Sequence, residues 1–480
     1  MADSQTPVQR IHAFADDALG ELDAVGVAEA IRGGRVSAAE VVEAAIRRAE
    51  AVDPALGAIA CADFDRARRS ATSPVGGFFA GVPTFIKDNV DVAGLPTQEG
   101  SAAYLAQPAP ADGEFAASFR RLGPVCLGKT QLSEFGISAS AESPGREVRN
   151  PWDTDYTSGA SSAGSAALVA AGVVPFAHGN DGGGSIRIPA AACGLVGLKP
   201  SRGRVPQDAL MSRMPVRVVA DGVLTRTVRD TAAYLRETER LRPVHGLPPV
   251  GDVRGAGEGP LRVAMVIESP FTPTDAETAA AVRDAARLLE SMGHHVEEIA
   301  APVPASFEED FKTYYGLLFL YMNATGKRTF DKSFDWHRTE SLTRGFAGYS
   351  LHRLHRLPAA IARLHGSARR SRELYAGYDL VLTPTVSHLT PRIGHIDPTL
   401  PFDIAMERLL AWVGFTPLQN ASGDPAVSLP FGLSSQGTPI GVQIAGPMGS
   451  EARLLEMAYA VEEARPFARI QDSVGERGLQ

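Results

Sequence analysis

Three sets of residues in this chain have the types and spacing that chemistry requires. The first is GPVCLGKT, Gly123 to Thr130, which has the glycine, lysine and threonine spacing of a phosphate-binding loop. Such a loop needs a strand before its first glycine and free backbone N–H groups between the glycines. Here GEFAASFRRL reads as a helix ahead of Gly123, Pro124 has no N–H, and Val125 to Leu127 read as the strand itself. The segment is therefore expected to be a helix-to-strand turn, and ATP titration would expose the alternative of a nucleotide-binding protein. The second set, Ala160, Ser162 and Gly164, approaches the A-x-S-x-G elbow of serine hydrolases, for which His388 would be the loop histidine able to act as base. His352 and His355 are three apart, as metal ligands can be, but lie in a basic run without a third ligand and read as a solvated helix face. Cys193, between Ala192 and Gly194 with no base beside it, reads as a core thiol.

The third set is more specific. GVPTFIKDN (Gly81 to Asn89), YTSGASSAGSAALVAAG (Tyr156 to Gly172) and HGNDGGGSIRIPAAACGLVGLKPSRGRV (His178 to Val205) follow one another within about 125 residues. Together they resemble the amidase signature family, hydrolases of carboxamides that use a Ser-Ser-Lys triad. The likeness continues through GVLTRTVRD, YDLVLTPT and GDPAVSLPFGLSSQGTPIGVQIAG and is closer to bacterial amidases and 6-aminohexanoate cyclic dimer hydrolases than to fatty acid amide hydrolases. The resemblance implies a nucleophile at Ser185, a bridging serine at Ser161 and a base at Lys87, at intervals of 74 and 24 residues close to the family's own. It also implies a cis peptide before Ser161, and an oxyanion hole of the N–H groups of Gly182, Gly183, Gly184 and Ser185. Ser162, Asp181 and Arg187 are expected to hold the loops rather than do chemistry. No cofactor and no metal is implied.

The residue types fit that chemistry on physical grounds. Amide hydrolysis needs a nucleophile, a base, an acid for the leaving nitrogen and donors for the oxyanion. Three glycines before Ser185 let backbone N–H groups turn inward. Phe85 and Ile86 give Lys87 an apolar setting that disfavours its ammonium, and a base working near neutrality needs its pKa to fall at least ~2 units from ~10.4. Two departures stand out. Ala160 and Ala163 replace family glycines and would strain the loop only at positive φ, and Gly182 stands where the family often has Thr or Ile. Substrate contacts are expected from Trp412 and Phe415 and from the cluster Phe311, Tyr314, Tyr315, Phe319 and Tyr321, which a helix core would explain equally well. A rival reading is the glutaminase subunit of a tRNA-dependent amidotransferase, but Ile188 stands where that subunit usually has Gln.

These residues must be positioned by an α/β fold, a mixed β-sheet core covered by α-helices on both faces. Val27 to Ala51 predicts two helices, the second opening on a Ser37/Glu40 capping box and stopping before Pro54. Leu261 to Ile267, Ala276 to Met292 and His295 to Ile299 read as strand, helix and strand, and 307–378 as helical. The expected division is a flexible segment 1–20, one domain over 21–470 and a flexible tail 471–480. Within the domain lie a helical edge (21–70), a signature core (75–240), a linker (242–259), a variable region (260–378) and returning strands and helix (379–466). Of 480 residues 44% are apolar, enough for a substantial core, and 47 Lys and Arg against 55 Asp and Glu leave a net charge of −8. Nothing in that balance asks for nucleic acid or an anionic membrane as partner. Three scattered cysteines argue against a disulfide framework. With no basic-then-apolar leader and no run of ~18 apolar residues, a cytoplasmic location is expected, with a small-molecule amide as partner and a homodimer left open.

Overall fold

A computed structural model describes residues 10–472; residues 1–9 and 473–480, most of the two expected flexible ends, lie outside the described residues. Eight strands form one mixed sheet. In spatial order they are His295–Glu298, Arg262–Met265, Leu380–Pro384, Pro439–Ala445, Ala426–Leu433, Val196–Lys199, Ala220–Thr225 and Phe176–Asp181. The first three are parallel and the rest antiparallel to their neighbours. The predicted strand-helix-strand unit is present, with Ala276–Ser291 as the crossover between the parallel pair, although both strands are shorter than expected. Helices pack on the sheet, and the core runs continuously from the N-terminal helices to the C-terminal one.

A second, three-stranded sheet of Ile59–Ala62, Val125–Thr130 and Pro83–Lys87 lies against the edge strand Phe176–Asp181. Side chains join the two: Thr84 Oγ1 donates to the Phe176 carbonyl at 3.1 Å, and the Lys87 N–H donates to His178 Nδ1 at 3.2 Å. The helix Ala163–Ala170, AGSAALVA, is buried on every side, which its small residues permit. Ser165 bonds to both sheets, meeting Thr130 Oγ1 at 2.8 Å and donating to the His178 carbonyl at 2.6 Å. The result is a rigid wedge that brings the ends of the Lys87 strand and the Asp181 strand beside the helix following Ser161.

Two expectations change and a third holds. The helix opened by the Ser37/Glu40 capping box runs over Ala38–Leu56, through Pro54 rather than stopping before it. Pro54 lies in the last turn, where its missing N–H costs one hydrogen bond near a solvent-exposed carbonyl, and Gly57 at φ +61° closes the helix. Residues 10–20 are tied down: the Ile11 N–H reaches the Pro151 carbonyl, the Ala13 N–H reaches Ala171, and Arg10 bonds the carbonyls of Ile470 and Asp472. Gly123–Thr130 is the predicted turn, following the helix Glu114–Arg120 and becoming the strand Val125–Thr130. Its Lys129 is buried and pairs with Asp88 at 2.7 Å, so it is committed to the small sheet. The segment 242–259 carries no helix or strand and is mostly exposed.

Gly164 shows how tight the wedge is, since a Cβ there would strike the backbone of Ala58 and Gln131. Gly164→Ala is expected to cost about 1–3 kcal/mol by overpacking. A fall in urea midpoint at unchanged m-value would show it.

Candidate active site

Lys87 ends the strand Pro83–Lys87, whose five residues are all buried. Its side chain is fully enclosed, and Nζ lies 2.6 Å from Ser161 Oγ and 2.6 Å from Asn180 Oδ1. The Ser161 N–H in turn donates to Ser185 Oγ at 3.3 Å. The three residues named from sequence are therefore brought together from segments 74 and 24 residues apart. Burial lowers the Lys87 pKa to about 7, against the opposing pull of Glu99, Asp221 and Asp181. Glu99, the strongest of the three, is itself raised to about 8, first by burial and then by Asp88. Behind the lysine, His178 accepts from its backbone and meets Asp221 at 3.1 Å, while burial keeps that imidazole below its ordinary pKa.

The glycine loop that follows Asp181 is shaped by one buried ion pair. Burial pushes the Asp181 carboxyl up, but the Arg187 guanidinium and its hydrogen bonds outweigh this and bring it to about 2. Arg187 clasps both carboxylate oxygens, at 2.9 and 2.8 Å, and spends its remaining donors on Gln419, Gln443 and Asn420. Asp181 in turn accepts from the N–H groups of Gly184 and Ile186, and Asn420 donates to both its side chain and its carbonyl. Thr416 Oγ1 holds the Gly183 carbonyl at 2.6 Å. Gly184 has φ +137°, which favours glycine. Ser162 Oγ donates to the Asn180 carbonyl at 3.2 Å, steadying the lysine's partner.

Two sequence expectations are corrected here, the free Gly184 N–H and the cis peptide before Ser161. The Gly184 N–H points to Asp181 Oδ1 at 2.8 Å and is not free, whereas the N–H groups of Gly182, Gly183 and Ser185 have no partner among the described residues. Ala160 and Ala163 do not have positive φ, so neither alanine strains its loop, and no described peptide bond is cis, Ala160–Ser161 included.

Ser185 opens on a cavity walled by Ile137, Ile188, Phe311, Tyr315, Phe346, Leu409 and Val413. Trp412, expected there, is fully buried instead, its indole N–H bonded to the His388 carbonyl and its ring stacked on that imidazole. Phe415 faces a neighbouring cavity whose walls include none of Lys87, Ser161 or Ser185. Phe311 and Tyr315 of the aromatic cluster reach the Ser185 cavity, while Tyr314 is spent on Val216, Phe319 is core and Tyr321 is exposed. His388 is bonded to its neighbour's carbonyl and is not among the cavity's walls. His352 and His355 are exposed, and no group of metal-ligating side chains occurs among the described residues. Cys193 is buried, with burial pushing its thiol pKa up. Asn180, Asn420, Gln443 and Thr416 were not singled out by sequence reasoning; Asn180 does lie within the HGNDGGGS run and Asn420 just ahead of GDPAVSLPFG.

Comparison with known proteins decides the family. The Amidase family profile matches residues 40–455. This chain belongs to the amidase signature family. As an amidase it is a hydrolase of carbon–nitrogen amide bonds. It is 56% identical to "Putative amidase AmiC" of Mycobacterium leprae (strain TN), over 97% of this chain and 99% of that protein. It is 35% identical to the 6-aminohexanoate-cyclic-dimer hydrolase of Paenarthrobacter ureafaciens, over 93% and 95% of the two chains. A solved structure of 6-aminohexanoate cyclic dimer hydrolase complexed with substrate superposes with a TM-score of 0.86 at 33% identity, covering 95% of this amidase and 99% of that chain.

Because Asp181 and Arg187 are both wholly buried, removing one leaves the other uncompensated. Arg187→Met in this amidase is expected to cost about 3–5 kcal/mol. Arg187→Lys should not restore it, because an ammonium cannot reproduce the planar fork. Urea denaturation of the two variants checks both expectations.

Proposed function

We propose that this amidase hydrolyses a carboxamide through an acyl-enzyme on Ser185, with Ser161 as proton relay and Lys87 as base. The observation that supports the reading most is the contact of the buried Lys87 Nζ with Ser161 Oγ at 2.6 Å, while the Ser161 backbone N–H donates to Ser185 Oγ at 3.3 Å and so holds the two serines side by side. A neutral amine there has a lone pair for the Ser161 proton while its own N–H donates to Asn180. Ser161 then takes the proton of Ser185, and Oγ attacks the carbonyl carbon. The resulting oxyanion meets the free N–H groups of Gly182, Gly183 and Ser185, which need no reorganisation because Asp181 and Thr416 already hold the loop.

The proton on Lys87 returns through Ser161 to the leaving nitrogen, the C–N bond breaks, and ammonia or an amine departs. Water repeats the cycle on the ester to release a carboxylate and regenerate Ser185. The apolar walls of the cavity favour a small amide with hydrocarbon flanks, linear or cyclic. No described helix is long and apolar enough to cross a membrane, and three unpaired cysteines support a cytoplasmic location.

A fluorophosphonate probe should label Ser185, and Ser185→Ala should keep its fold while losing at least ~10³-fold in turnover. Adducts mapped to Ser162 or Cys193 instead would overturn the assignment. The rate should rise with pH through about 7 as Lys87 loses its proton and stay high on the alkaline side. Lys87→Ala should abolish that limb, and Lys87→Arg, permanently charged, should not bring it back. A limb that survives Lys87→Ala but vanishes in His388→Ala would make a histidine the base.

A further inference from the structure

Above the glycine loop lies the helix Phe307–Thr329, which presents Phe311 and Tyr315, one turn apart, to the Ser185 cavity. Phe311 covers Gly183, and the Tyr315 hydroxyl occupies the place that a Cβ on residue 182 would fill. The tyrosine ring is held firmly, stacked on Phe311 at 5.2 Å and 23° and tilted against Phe346 at 6.5 Å. Its hydroxyl, however, makes no hydrogen bond to any described residue. The preceding tyrosine is the instructive contrast, because Tyr314 OH both accepts from the Val216 N–H at 2.9 Å and donates to the Val216 carbonyl at 2.7 Å. One phenol is spent on structure, and the other is held over the loop with its donor unspent.

We propose that Tyr315 is a further catalytic residue whose hydroxyl donates a hydrogen bond to the substrate's carbonyl oxygen as it becomes an oxyanion. This rests on the acyl-enzyme reading and adds to it. With the Gly184 N–H committed to Asp181, the loop offers three backbone donors, and the phenol beside Gly182 replaces the fourth. Gly182 then has a reason to be glycine where Thr or Ile is usual, since any side chain there would drive the hydroxyl off. Burial, with Asp181 next in effect, raises the phenol's pKa, so it remains a donor across the working range.

The test is Tyr315→Phe, which keeps the ring and its stacking and removes one oxygen. The expected result is a fall in kcat of about 10²-fold with KM little changed, the size seen when one oxyanion donor is deleted. Gly182→Ala should lose a comparable factor with Tyr315 intact, so the proposal stays testable even if Tyr315→Phe folds poorly. The double variant should be no worse than the worse single one, because both remove the same contact. A Tyr315→Phe enzyme with unchanged kcat, a loss confined to KM, or losses that multiply in the double variant would each overturn the proposal. Fluorophosphonate mapping separates this from the parent reading. If the wild-type adduct is on Ser185 and Tyr315→Phe is fully active, only the role of Tyr315 fails; if the adduct lies elsewhere, the acyl-enzyme assignment fails first.

Discussion

Everything in this site depends on keeping one primary amine out of water. Lys87 is enclosed at the end of a strand buried throughout, and holding its pKa near 7 rather than 10.5 amounts to roughly 5 kcal/mol of differential destabilisation of its ammonium. Such a penalty persists only where the surroundings are over-determined. The small sheet supplies that constraint, since the Lys87 backbone is tied to His178, its neighbour Asp88 to Lys129, and the two sheets to each other through Ser165. Three carboxyl groups, those of Glu99, Asp221 and Asp181, pull the other way, but the nearest in effect is itself raised by burial and Asp181 is neutralised by Arg187.

The second constraint is the Asp181–Arg187 pair, which converts a run of three glycines, flexible in isolation, into one loop with a fixed direction. Asp181 accepts from three backbone N–H groups of its own turn, those of Gly184, Ile186 and Arg187, and Arg187 anchors the turn to Gln419 and Asn420 on the distant segment 417–422 and to Gln443 in the centre of the sheet. Buried charge here contributes geometry more than stability. It leaves three backbone donors free and directs the fourth away, which gives the overlying helix a place in the chemistry.

How much of this was legible in the sequence follows the range of the interactions. Ser37 and Glu40 are three residues apart and cap a helix as expected, and the strand-helix-strand unit over 262–298 shows in its periodicity. That Lys87, Ser161 and Ser185 come together was legible because each lies in a compact motif. Tyr315 was visible only as one of five aromatics, because spacing along a helix does not tell which ring faces a cavity made by five other segments. Trp412 was misread for the same reason, its indole finding a carbonyl partner and a core position. The role of the Gly184 N–H was hidden because it depends on where a carboxylate three residues earlier is pinned by an arginine. Pro54 was misread because a proline in the last turn, beside solvent, costs a helix little.

The central claim, a lysine held neutral by burial, is open to direct titration. In Ser185→Ala protein carrying isotope-labelled lysine, the NMR shift of the Lys87 side chain should titrate with a midpoint of about 7, well apart from the exposed lysines near ~10.4. A Lys87 signal that stays protonated up to the ordinary lysine range would contradict the account.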